Sequence, residues 1–140
     1  MAWVYEQRTG RLRDPLGELI GVGYAGGEQG RSPQGKNNPD MDHVHNVGPL
    51  PRGWYMIGSP HDTVTHGPYV IPLTPHPDNV MHGRSGFLCH GDSVIHPGNA
   101  SDGCMVQARV AREKLGSSLD RELEVVSDWT APDVDGEIAT

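Results

Sequence analysis

Apolar and polar positions alternate over short stretches of this chain and recur at helical spacing only once. Residues 2–7 (Ala-Trp-Val-Tyr-Glu-Gln) predict a short strand, which Thr9-Gly10 turns toward a partner beginning at Leu12. Residues 18–24 predict a further strand. Residues 53–58 predict another, with Tyr55 and Ile57 on one face and Trp54 and Met56 on the other. Residues 68–74 align Tyr69, Ile71 and Leu73, and Pro72 inside that run argues for an edge position or a bulge. Residues 86–91 put Leu88 and His90 on one face and Phe87 and Cys89 on the other, and residues 122–127 predict the final strand. Residues 105–115 predict one helix, with Ser101 or Asp102 as its N-cap and Gly116 at its C-terminal end. Residues 25–51 have no periodicity and are rich in Gly, Asn, Pro and Asp. Long ordered loops of that kind often carry function.

Composition narrows this picture. A chain of 140 residues with 19 glycines and 12 prolines fits one turn-rich, mainly β domain. Its charge of −7 is concentrated at the end, where seven acids face one base from Asp120 onward. Residues 1–128 are expected to form the folded domain, and residues 129–140 an acidic, frayed tail. No Lys/Arg cluster exists to neutralise phosphates, which argues against nucleic acid as a partner. The N-terminus has neither a basic region nor an apolar one of the kind a signal peptide needs, and no apolar run approaches the ~20 residues that span a bilayer, so membrane insertion is not expected. The two cysteines, Cys89 and Cys104, make no disulfide framework, and without a CxxC pair no structural zinc site is expected.

Candidate chemistry gathers in His90-Gly91-Asp92 and Ala100-Ser101-Asp102-Gly103-Cys104. A thiol attacks acyl groups as the thiolate, so it needs a depressed pKa or a nearby base. A cysteine just ahead of the predicted helix would gain from the helix N-terminus. Gly103 permits close backbone approach, the amides near Cys104 are candidates for an oxyanion hole, and His90 is the candidate base. Alone, these residues fit equally well a buried packing cysteine and a solvated histidine.

The chain resembles the type VI secretion L,D-transpeptidase effectors, a group related to the YkuD-type L,D-transpeptidases. The resemblance rests on Trp3-Val4-Tyr5, Thr9-Gly10, Gly23-Tyr24-Ala25-Gly26, Asn37-Asn38-Pro39, Gly48 to Tyr55, Gly83 to Phe87, His90-Gly91-Asp92 and Ser101-Asp102-Gly103-Cys104, all in order over roughly residues 3–126. It implies a YkuD-like β-sandwich or barrel with one main helix following the cysteine. It also implies a cofactor-free acyl-enzyme mechanism on peptidoglycan tetrapeptide stems, as L,D-carboxypeptidase, exchange or cross-linking enzyme. Cys104 then takes the nucleophile role and His90 the base role. Gly91 falls where the imidazole is oriented, and Ser101 and Gly103 at supporting positions. Asp102 replaces the histidine usual before Gly-Cys. An immunity protein and a secretion-system component are the protein partners such a family implies, with action in a target bacterium's periplasm after delivery by a secretion system or a phage-type device.

Other residues carry weaker expectations. Arg84 is a candidate partner for a substrate carboxylate, and Tyr24 and Asp102 are candidate cleft residues. Asp42, His43 and His45 support a rival reading as a metal-dependent hydrolase, if the chain is extended there. A cell-wall-binding module without activity is the third reading. Cys89 is expected to be a small core residue, and a Cys89–Cys104 bridge stays open.

Overall fold

The computed structural model describes residues 2–129. It is mainly β, with one α-helix, α1 (Arg109–Gly116), among the described residues. The strands are β1 (Trp3–Glu6), β2 (Arg11–Arg13), β3 (Leu19–Val22), β4 (Tyr24–Ala25), β5 (Gly53–Ile57), β6 (His61–Thr63), β7 (Gly67–Pro75), β8 (Leu88–His90), β9 (Met105–Val106) and β10 (Glu122–Val126). They pair in the order β3-β2-β1-β10-β5-β7-β8-β9-β4, with β6 hairpinned onto β7. The sheet is mixed: β1 runs parallel to β10 and β8 parallel to β9, and the other pairs are antiparallel.

The expected alternation is realised. In β5, Tyr55 and Ile57 are buried while Trp54 and Met56 face outward. The core gathers Tyr5, Leu12, Leu50, Tyr55, Ile71, Leu73, Met105, Leu115 and Leu123, all almost wholly buried. The long stretch between β4 and β5 is a loop as expected, shaped by three short 3-10 turns. Of the expected tail, Trp129 lies under the guanidinium of Arg13, 4.0 Å from its ring centroid. Residues 130–140 lie outside the described residues.

Three expectations need correction. Residues 18–24 are not one strand: Gly23 donates to the Gly10 carbonyl and breaks the run into β3 and β4, which then occupy opposite ends of the pairing order. β7 is not an edge strand. It exchanges neighbours along its length, and at Pro72 the carbonyl accepts from Gly58 just beyond the end of β5. The missing N–H of Pro72 therefore costs no ladder bond inside a regular strand pair. The helix starts at Arg109, not at residue 105. Met105 and Val106 are both buried and form β9 against β8, with Cys89 opposite Met105 and His90 opposite Val106. Residues buried on both sides favour a sandwiched strand over an amphipathic helix. Ala108 rather than Ser101 or Asp102 is the N-cap, and Gly116 is the last helical residue rather than the residue beyond it.

Candidate active site

The parallel pair β8–β9 builds the site. Parallel neighbours need a crossover connection, here residues 91–104, and Cys104 is its last residue. The register places Cys104 beside Leu88, whose amide points at the Cys104 Sγ at 3.4 Å. His90 ends β8 two residues further on. Both side chains line one cavity of about 320 Å³, with Arg84, Phe87 and Asp102 among its other walls.

The imidazole of His90 is buried and oriented. Its Nδ1 lies 2.8 Å from the Gly91 carbonyl. A carbonyl only accepts, so Nδ1 carries the proton and Nε2 is the basic nitrogen. Burial lowers the pKa of His90, the Gly91 contact raises it, and the nearby His66 lowers it further. Burial raises the thiol of Cys104, with the charge of Asp102 acting in the same sense; the Leu88 amide and the Arg84 charge act against it. Both shifts favour the neutral forms, thiol and imidazole. Helix α1 begins five residues after Cys104, so the expected contribution of a helix N-terminus to thiolate formation is absent, because that effect dies within a turn.

Ser101 holds the loop that carries Cys104. It is 1% exposed, and its Oγ accepts from the amides of Gly26 at 2.8 Å and Gly103 at 3.0 Å while donating to the Cys104 carbonyl at 2.7 Å. The Gly103 amide is thus committed to Ser101 rather than left for an oxyanion. Gly103 has φ +146°, and a Cβ there would overlap Nη2 of Arg84. Arg84 itself is buried. Nη1 donates to the carbonyls of Asp42 and Pro49, and Nη2 to those of Gly48 and Asp102. It is neither a solvated arginine nor a free grip for a carboxylate; it ties the 42–49 loop to the residue two before Cys104.

Tyr24 does not line the Cys104 cavity. Its hydroxyl donates to Asp92 at 2.5 Å and accepts from the Ala100 amide at 2.9 Å, bracing the two limbs of the crossover loop. Burial and that bond to Asp92 raise the Tyr24 pKa. Burial works to raise the Asp92 carboxyl as well, but donors from Tyr24, Gly98 and Ser93 outweigh it and hold the pKa below the usual range. Asp102 does line the cavity and accepts from Gln29 Nε2 at 2.7 Å.

His66 was not indicated by the sequence. It sits in the β6–β7 hairpin turn, 24 positions from His90 in the chain, with its ring centroid 5.0 Å from that of His90. It lines the Cys104 cavity and a larger one of about 520 Å³ on the other side of His90. That larger cavity does not include Cys104, which lines the smaller one.

The residues of the metal-hydrolase reading are not brought together. The 39–48 segment is a 3-10 turn followed by further turns, not an extended chain on which alternating residues share a face. Asp42 is buried and its Oδ2 accepts from Gln7 and Arg52. His45 Nε2 contacts the His82 carbonyl, so that nitrogen carries the proton. Among the described residues no three His, Cys, Asp or Glu side chains are grouped to hold a metal. Cys89 is fully buried, and burial pushes its thiol up to about 12. Both cysteines are free.

The mainly β sheet thus presents a cysteine and an oriented histidine in one cleft. The model of the Tlde1 domain matches residues 29–127, and the chain belongs to that family of type VI secretion L,D-transpeptidase effectors, whose activity is peptidoglycan-related. No curated protein and no solved structure matches it significantly. Among the described residues no helix is long and apolar enough to cross a membrane.

Proposed function

We propose that this chain cleaves or exchanges the terminal bond of peptidoglycan tetrapeptide stems through a Cys104 acyl-enzyme, with residues 1–128 as the catalytic domain. The observation that carries this reading is the shared cavity of Cys104 and His90, with Nδ1 of His90 tied to the Gly91 carbonyl and Nε2 left as the base. Because burial favours the neutral form of both groups, the proton moves during attack. Cys104 Sγ bonds to the carbonyl carbon of the meso-diaminopimelate residue as His90 Nε2 takes the thiol proton. The tetrahedral adduct then breaks its C–N bond, and D-Ala leaves with the proton returned by His90. Water, a D-amino acid or the amine of another stem next gives a proton to His90 and displaces the thioester, regenerating the thiol. The Leu88 amide, aimed at Sγ, stabilises sulfur whenever it is anionic.

Ser101, Gly103, Arg84 and Tyr24 are positioning residues in this scheme. Delivered into the periplasm of another bacterium, loss or exchange of D-Ala would deprive that cell of stems for cross-linking; an immunity protein in the producer is the partner such a role requires. The test is incubation with tetrapeptide muropeptides, with and without a D-amino acid, read by mass spectrometry. Loss or replacement of D-Ala by the native chain and not by Cys104→Ala is the expected result. Unchanged masses with reduced native protein would favour a wall-binding module instead.

A further inference from the structure

We propose that the cavity beside Cys104 selects its substrate by a positive charge, and that Asp102 receives it as a primary ammonium on the side chain of the stem's third residue. The inference rests on the reading that this cavity binds stem peptides. Two charged side chains, Arg84 and Asp102, stand in its wall. The two terminal nitrogens of Arg84 are spent on four backbone carbonyls. Asp102 differs: Oδ2 accepts from Gln29, while Oδ1 is buried with no hydrogen-bond partner among the described residues.

A carboxylate oxygen withdrawn from water without a donor is unfavourable, and native structures rarely leave one so unless something else supplies the bond. An ammonium offers three donors on a compact charge. The χ2 torsion of aspartate is soft, so a small rotation turns Oδ1 toward an incoming ligand. Two neighbouring polar groups are already committed elsewhere. The Gln29 amide is already given to Asp102, and Nε2 of His45 to the His82 carbonyl. An ammonium beside Asp102 would also offset the negative charge near the sulfur as the thiolate forms. The biological consequence is selective: a third-residue amine is free only in stems that have not been used as cross-link acceptors, so the enzyme would act on uncross-linked stems.

The test compares three synthetic tetrapeptides whose third side chain ends in a free amine, an acetylated amine or a methyl group. The kcat/KM of the full chain is measured on each, with Cys104→Ala as the blank. The native chain should favour the free amine by about tenfold to a hundredfold, the range of a hydrogen bond to a charged group. In Asp102→Asn that ratio should collapse toward one. Equal turnover of all three peptides by the native chain overturns the inference and leaves the acyl-enzyme reading standing, as does a preference that survives in Asp102→Asn. Turnover of none of them overturns both. The comparison on native protein needs no variant to fold.

Discussion

At Cys104 and His90 the physical chemistry points in one direction: burial makes the thiol a poorer acid and the imidazole a poorer base. Activity should therefore require neutral His90, falling on the acid side at a pH below the ordinary histidine value of 6.5 and holding through neutral pH. A pH profile of kcat/KM checks this; an acid limb at or above 6.5 would contradict the burial effect. His66 is expected to shape the same limb, because its charge opposes that of His90 across 5.0 Å. His66→Phe keeps a ring and removes the charge, so its limb should move to higher pH. Among single residues the sequence was informative where chemistry is local. Cys104 and His90 stood out from their neighbours, and Gly103 from the need for close approach. Arg84 and His66 were opaque for the opposite reason. Whether an arginine grips a ligand or four carbonyls, and whether a hairpin histidine lies over another one, depends on chain far away in sequence.

At the scale of elements, strands with one buried face were legible because alternation survives whatever they pair with. β5 is the plain case. β9 was not, since Met105 and Val106 are followed directly by a good helical stretch and only the ladder with β8 pulls them out of it. That same ladder positions Cys104, so the crossover loop should be the sensitive element. Tyr24→Phe removes its bonds to Asp92 and Ala100. We expect a loss of roughly 1–2 kcal/mol in denaturant unfolding and faster hydrogen exchange at the Gly98 and Ala100 amides. Ser101→Ala removes three bonds at the buried end of the loop. Its cost should be larger, about 2–4 kcal/mol if two orphaned amides dominate, and turnover should drop with it.

For the whole molecule, acid should be more damaging than mild base. His90 has a folded pKa below its unfolded value. The unfolded chain therefore binds more protons as pH drops through about 6.5, and stability declines from there until the folded group titrates too. Burial works to raise Asp42, but bonds from Gln7 and Arg52 outweigh it and hold its pKa below 3.8. Its contribution is present above 3.8 and is lost as pH falls through the folded value. Thermal melts from pH 8 to pH 3 should show a first decline below pH 6.5 and a steeper one near pH 4. His90→Gln should remove the first. The mainly β class and the one α-helix among the described residues could be read from turn density and periodicity, whereas the pairing order could not, because the break at Gly23 lets one apolar run serve two ends of the sheet.

That break at Gly23 has a bearing on self-association. An open sheet ordinarily exposes two raw flanks on opposite sides, each able to recruit a strand from another molecule. Here the flanking strands β3 and β4 are separated by one residue, so both ends of the pairing order among the described residues lie at the same corner. Gly21 of β3 abuts Gln107 and Ala111 there, at the entrance to α1. A strand added to either end of this pairing order would approach at that corner, beside the helix, rather than on two opposite sides.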